Sequence, residues 1–235
     1  MEIRIRSFFL LFILCLFSAV RASAADQRII VGLHDNTPLI FTDTDSRVKG
    51  IAVDILTHIA RKEGWDIQYR PGSYAQCTRR LETGTIDLLP GMAMSANLED
   101  KFTFGEETIV ANWGQLYISS DATFSDILDF HKKDVAAVEA DIYFQFFETI
   151  LSKFEIRPRF IMVDSYGKVL SMVHEKSVSA GIVPRLYGAY YEKRFRVRQS
   201  PISFRPKELR FAVAKGRNAS ILTALDHHLT VSYTH

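Results

Sequence analysis

The chain has 235 residues and carries 29 basic against 27 acidic side chains, a formal net charge of +2. Its 47% hydrophobic and 24% charged residues are the make-up of a folded globular protein, neither disordered nor fibrous. Two cysteines exclude a disulfide scaffold, and so small a net charge gives no electrostatic basis for nucleic-acid binding, which needs a clustered basic face.

Met1 to Arg6 is short and basic, Phe8 to Val20 is apolar, and Ala22-Ser23-Ala24 offers a small-residue cleavage site. Together they read as a secretory signal peptide over residues 1–24. The apolar run falls short of the ~20 residues a membrane-spanning helix needs. Cys15, preceded by Phe12-Ile13-Leu14, lacks the small residue of a lipid-attachment site. Cleavage near Ala24 takes away Arg4, Arg6, Arg21 and Glu2, leaving a formally neutral, exported (periplasmic) piece with Cys77 as its one cysteine. Roughly 210 residues then remain, enough for one large domain or two small ones.

Arg28 to Leu33 reads as a buried strand closed by the turn Asn36-Thr37-Pro38. Ile51 to Glu63 puts Ile51, Ile55, Leu56 and Ile59 on one helical face, with Gly64 as C-terminal cap. A strand is expected at Trp65 to Arg70, a helix through Tyr74, Cys77 and Leu81 behind the Ser73 cap, and a short strand at Ile86 to Leu89. Beyond Gly91 the plan recurs: a short helix capped by Ser125, a strand at Asp134 to Glu139, an aromatic-rich helix at Ile142 to Phe154 and a strand at Pro158 to Val163. Asp164 or Ser165 then caps a helix to about Lys176, followed by a strand at Ser179 to Val183. Leu209 to Ala214 and a helix at Asn218 to Leu229 look like a return to the first unit. The alternation predicts an α/β protein with parallel pairing, built as two similar lobes.

Gly50-Ile51-Ala52-Val53-Asp54-Ile55-Leu56, then Leu81-Glu82-Thr83-Gly84-Thr85-Ile86-Asp87-Leu88-Leu89-Pro90-Gly91 and Phe102 to Glu107, resemble the bacterial family 3 extracellular solute-binding proteins. The likeness runs on to about Leu229. It implies a two-lobed Venus-flytrap fold of the periplasmic binding protein type 2 kind, with two crossing hinge strands and ligand between the lobes. Mapped here, residues 26–114 plus 206–235 form lobe 1 and 115–205 lobe 2. Hinges fall near Gln115 to Ile118 and Ser203 to Pro206. Within the family, Asn112 to Tyr117 and Glu208 to Asn218 are similar to periplasmic input domains of membrane histidine kinases and diguanylate cyclases. Such domains lead into a membrane span and an output module, whereas here Val231-Ser232-Tyr233-Thr234-His235 ends the chain. Both a truncated sensor and a freestanding receptor of an ABC permease fit that ending.

In amino-acid binders of this family an arginine after the strand-end glycine takes the α-carboxylate and an acid in lobe 2 takes the α-amino group. Leu98 stands at the first position and Pro184-Arg185 at the second, so the resemblance implies a small polar ligand other than an ordinary α-amino acid. The expected contacts are Asn36, Tyr74, Met92, Ala93, Ser95, Trp113, Asp141, Tyr143 and Arg185. Met92, Ala93 and Ser95 would offer backbone or hydroxyl groups, and Arg185 could hold an anion. Each has a structural alternative: Asn36 as a turn residue, Tyr74 and Trp113 as packing, Asp141 as a helix cap, Arg185 as a solvated helix start.

Catalysis has little to build on. His34, His58, His131, His174, His227 and His228 lack metal-ligand spacing, and neither a nucleophile elbow nor a glycine-rich phosphate loop is present, so no metal or cofactor is expected. A dehydratase-like enzyme of the same fold stays as an alternative. The aromatic face of Tyr143, Phe144, Phe146 and Phe147 is read as core rather than as a partner surface.

Overall fold

A computed structural model describes residues 27–123, 126–139 and 141–232. The expected signal peptide and Ser125 lie outside them.

The first unit is built as its periodicity predicts. Strand β1 (Gln27–Leu33) buries Ile29, Val31 and Leu33. A small hairpin, β2 (Phe41–Thr42) and β3 (Val48–Lys49), leads into helix α1 (Ile51–Glu63). Helix α1 turns Ala52, Val53, Leu56, Ile59 and Ala60 inward and ends on left-handed Gly64, whose N–H donates to the Ala60 carbonyl. Strand β4 (Trp65–Pro71) pairs parallel with β1 from Gln27↔Trp65 to Leu33↔Pro71. Helix α2 (Tyr74–Glu82) opens on a reciprocal cap between Ser73 and Gln76 and buries Cys77 and Leu81.

Strand β5 (Leu89–Ala93) begins three residues later than the expected Ile86 start. Leu88 makes only a single bridge to Val31, and the ladder proper begins where the chain turns to its antiparallel partner. Gly91, at φ +81, is the surplus residue of a bulge there, which is why the strand runs through Pro90-Gly91. In the quoted family motif, Asp87 has a structural task. Its carboxylate accepts the Ile30 N–H at 2.9 Å and the Asn218 side-chain amide at 3.0 Å, tying β1 to the start of the last helix.

Helix α3 (Ala96–Glu99) precedes β6 (Phe102–Ser119), one of two 18-residue strands. A 3₁₀ turn at Ile127–Phe130 follows, capped by Asp126. Next come β7 (Asp134–Val138), α4 (Ile142–Lys153), β8 (Arg159–Val163), α5 (Tyr166–His174), β9 (Ala180–Pro184) and α6 (Arg185–Phe195). The second long strand, β10 (Val197–Ala214), leads to α7 (Ala219–Ser232).

The expectation of parallel pairing holds for β1 with β4 and for β7 with β8 and β9, and needs correction at the crossing. β7 lies parallel to both β8 and β9, but β6, β10 and β5 pair antiparallel in the order β5-β10-β6-β9-β7-β8. The physical reason is that β6 leaves one lobe and β10 returns to it, so the two cross side by side in opposite directions. Their side chains serve two cores. Ile109, Leu209, Phe211 and Val213 pack with β1 and α1, whereas Leu116 and Phe204 pack with α4, β7 and β9. The exchange between cores falls between Ile109 and Leu116 on β6 and between Phe204 and Leu209 on β10. The molecule is thus two-lobed, with two strands passing between the lobes.

At that crossing Gly114 lies opposite Phe204, and a Cβ added to Gly114 would stand 2.2 Å from the phenyl ring. Phe204 in turn stacks on Phe147, with ring centroids 4.8 Å apart. The ladder also carries surplus residues on β10, between Gln199 and Ser203 and between Phe204 and Lys207, and Arg205 adopts φ +54. Irregularities of this kind let a strand pair bend between two bodies.

Candidate ligand-binding cleft

A cavity of about 240 Å³ opens between the lobes. Asp35, Asn36 and Thr37, in the loop after β1, form its wall on the first lobe. The second lobe supplies Val138 at the end of β7, Asp164, Ser165 and Tyr166 at the start of α5, and Pro184 and Tyr187 at the start of α6. These are strand ends and helix starts, where an α/β sheet leaves backbone N–H groups free for a ligand. The lobes touch beside it: the Phe41 and Tyr190 rings meet edge to face at 6.1 Å, and the Leu186 N–H donates to Asn112 Oδ1 at 3.2 Å.

The hydroxyl groups of the wall are already directed. Thr37 Oγ1 donates to Asp35 Oδ1 at 3.0 Å, and Ser165 Oγ donates to Asp164 Oδ1 at 3.0 Å. The Tyr166 hydroxyl donates to Asp141 Oδ2 at 2.5 Å, and burial with that carboxylate beside it pushes the phenol far above its ordinary range. Burial likewise pushes Tyr187 up to about 12, with Tyr191 and Asp35 adding to it. The Tyr166 and Tyr187 rings lie 5.4 Å apart, forming an aromatic corner.

The expected site residues divide into four groups. Asn36 lines the cavity. Asp141 stands behind it: its Oδ1 caps α4 through the N–H groups of Tyr143 and Phe144, both at 2.9 Å, while Oδ2 holds Tyr166. Tyr74, Ala93, Ser95, Trp113 and Arg185 are not on the cavity wall. Tyr74 is 44% exposed and packs edge-on against His34 at 5.2 Å, and Ala93 closes β5 against Leu209. Ser95 caps α3 through the backbone alone. The Arg185 guanidinium lies 4.6 Å above the Trp113 ring, and the Trp113 indole N–H donates to Gln115 Oε1 at 3.3 Å. Met92 and Tyr143 are core: Met92 is fully buried with Cys77, Leu81 and Phe102, and Tyr143 packs with Phe147 and Leu151.

Asp35, Thr37, Asp164, Ser165, Tyr166 and Tyr187 were not among the expected contacts. The first five sit where the strand-end rule would have found them, since each follows a strand or opens a helix. Tyr187, the third residue of α6, lies deeper into its helix than the others, so the rule marks it less directly. Among the described residues no group of three or more His, Cys, Asp or Glu is placed to hold a metal ion.

Two lobes, two crossing strands and a cavity between them define a two-lobed solute-binding protein. Residues 29–229 match the bacterial extracellular solute-binding proteins, family 3, and the chain belongs to that family. Among solved structures it is similar to substrate binding domain 2 of Lactococcus lactis GlnP in its open conformation (18% identity, 89% of this chain and 91% of that one, TM-score 0.72). It is similar to the extracellular-binding protein ytmK of Bacillus subtilis (14%, 87% and 91%, TM-score 0.78). It is also similar to a histidine kinase sensor domain with similarity to periplasmic binding proteins (18%, 89% and 91%, TM-score 0.69). At these identities the likenesses establish the fold. A search of curated proteins gives no match.

Proposed function

We propose that the chain is an exported, periplasmic solute-binding domain, cleaved near Ala24, that closes on a small polar molecule and serves as the sensory input of a signalling protein. The observation that carries the binding reading is the cavity walled by Asp35, Asn36 and Thr37 from one lobe and by Asp164, Ser165, Tyr166 and Tyr187 from the other. A ligand touching both walls favours the closed arrangement by its differential contacts, and the strand pair β6–β10 is the hinge. In this reading residues 26–114 with 206–235 move against 115–205. Asn36 contacts the ligand directly, and Asp141 fixes Tyr166. Tyr74, Ala93, Ser95, Trp113 and Arg185 stay outside the wall in this reading.

The sensory role draws on the stretch Asn112 to Tyr117, whose likeness to kinase and cyclase input domains coincides with the hinge. A freestanding receptor of an ABC permease is the second reading, favoured by the likeness to the GlnP domain. Ligand-dependent association with a membrane kinase or cyclase supports the first, and stimulation of a permease ATPase the second. Neither reading includes turnover, so prolonged incubation should return the ligand unchanged.

Binding is tested by a thermal-shift screen of amino acids, organic acids, amines and sugars. A ligand at a hundred times its Kd adds ~2.7 kcal/mol, or roughly 5–10 °C for a domain of this size. A cooperative melt that no compound moves would contradict the proposal.

A further inference from the structure

We infer that the cleft selects a small cation, an alkylammonium or guanidinium compound without a carboxylate. The inference rests on the cleft being the ligand site and adds what the wall can pair with.

The donor and acceptor inventory decides it. A hydroxyl has one proton to give, and three hydroxyls on the wall have given theirs to carboxylates: Thr37 to Asp35, Ser165 to Asp164 and Tyr166 to Asp141. Toward a ligand these three side chains offer lone pairs only. Two of the carboxylates, Asp35 and Asp164, themselves line the cavity from opposite lobes, and no lysine, arginine or histidine lines it among the described residues. A ligand carboxylate or phosphate could meet the Asn36 amide and the N–H groups that open α5 and α6, but it would do so beside two like charges and with no cation on the wall among the described residues. An ammonium or guanidinium brings several N–H donors to the two carboxylates and the three hydroxyl lone pairs.

The aromatic corner points the same way. Tyr166 and Tyr187, 5.4 Å apart and tilted by 53°, bring two aromatic rings to the wall, and an aromatic quadrupole attracts a cation. Neither Arg185, which stacks on Trp113, nor Arg194, whose charge acts on Tyr187, is a wall residue. The cavity, at about 240 Å³, is below the roughly 300–1,000 Å³ typical of drug-sized pockets, so the cation is a compact one. An ammonium held between Asp35 and Asp164 would also link the lobes, coupling recognition of charge to closure.

The experiment compares putrescine and agmatine with succinate, glutamate and glucose, by thermal shift and titration calorimetry on the purified chain and on Asp35→Asn and Asp164→Asn. Asn keeps the shape and an acceptor oxygen, so both variants should melt close to the parent. The expected result is binding of putrescine or agmatine that weakens roughly ten- to hundredfold in each variant, the worth of a hydrogen bond to a charged group. Binding of succinate or glucose but of neither amine, unweakened by the two substitutions, would overturn the cation while leaving the cleft as the site. A melt moved by none of the five compounds, with no heat of binding, would overturn the cation as well. The wider screen of neutral and anionic solutes then decides separately whether the cleft binds anything.

Discussion

The side-chain amide of Gln115 donates to the backbone carbonyl of Ser200 at 2.7 Å, from a position only 3% exposed. The same Nε2 reaches the Ile202 carbonyl at 2.8 Å, and together the two bonds fill the stretch where β10 carries surplus residues between Gln199 and Ser203. A buried carbonyl turned out of its ladder needs a donor, and one glutamine of β6 supplies it for two. The hinge region is thus held by a specific side chain rather than left loose.

Replacing Gln115 with Leu leaves both carbonyls unpaired. At about 1–3 kcal/mol for each buried unsatisfied group, Gln115→Leu should cost roughly 2–6 kcal/mol in total. Urea denaturation should show a lower midpoint with an unchanged slope. A midpoint within error of the parent would mean that water reaches these carbonyls.

Gly114→Ala tests the same crossing by steric means. The new methyl meets the Phe204 ring, which the stack on Phe147 prevents from swinging away. A loss of about 1–3 kcal/mol is expected, as for other overpacked cores. A double change with Phe204→Leu should recover part of it, because the shorter side chain makes room.

Stability should fall in mild acid through His34. This residue is 5% exposed, its Nδ1 has no hydrogen-bond partner among the described residues, and burial pushes its pKa down to about 4 against the weaker opposing pull of Asp35. The unfolded chain, with an ordinary imidazole near ~6.5, binds the proton more readily between those values. The stabilising contribution is therefore complete above about pH 6.5 and is lost as pH falls through about 4, on the order of 3 kcal/mol in all. Asp121, held at about 2 by Lys176 and Ser119, titrates below that window. Melting temperatures from pH 7 to 4.5 should fall for the parent and stay flatter for His34→Gln; parallel curves would remove His34 from the acid response.

Asp141 carries two structural tasks at once. Asp141→Ala removes the α4 cap, about 1 kcal/mol, and strands the Tyr166 hydroxyl, about 1–3 more. Asp141→Asn keeps an acceptor for either task and should recover most of the loss. Because Tyr166 forms part of the wall, the Ala variant should also weaken ligand binding, which titration of both variants can read.

Much of the fold is legible in the sequence because local physics decides it. Helix α1 follows from the spacing of Val53, Leu56 and Ile59, and it stops at Gly64 because only that residue takes the left-handed turn at little cost. The pairing of β6 with β10 is not legible from periodicity, since neither strand says which distant segment it meets or in which direction. Family likeness supplied the two crossing strands; the bulge at Gly91 and the surplus residues at Ser200 to Ile202 emerge only once the partners are known.

The cavity wall is legible in place but only partly residue by residue. Asn36 could be found because it follows a strand, and Asp141 because an aspartate before a helix signals a cap. Met92, at a strand end too, faces inward onto Cys77 and Phe102, which strand alternation cannot settle for so short a segment. The sequence reads Arg185 as an anion contact or a solvated helix start, whereas its stack on Trp113, far away in sequence, is a tertiary contact. Tyr187 reaches the cleft through the placement of α6, a tertiary fact.

The most direct test of the cleft as the binding site is titration calorimetry with a compound that raises the melting temperature, on the parent and on Ser165→Trp. Ser165 is exposed on the cavity wall, so an indole there fills the space between the lobes without entering either core. Binding in the cleft predicts that Ser165→Trp melts like the parent and gives no heat with the compound. Full-strength binding by that variant would contradict it and place the ligand elsewhere on the molecule.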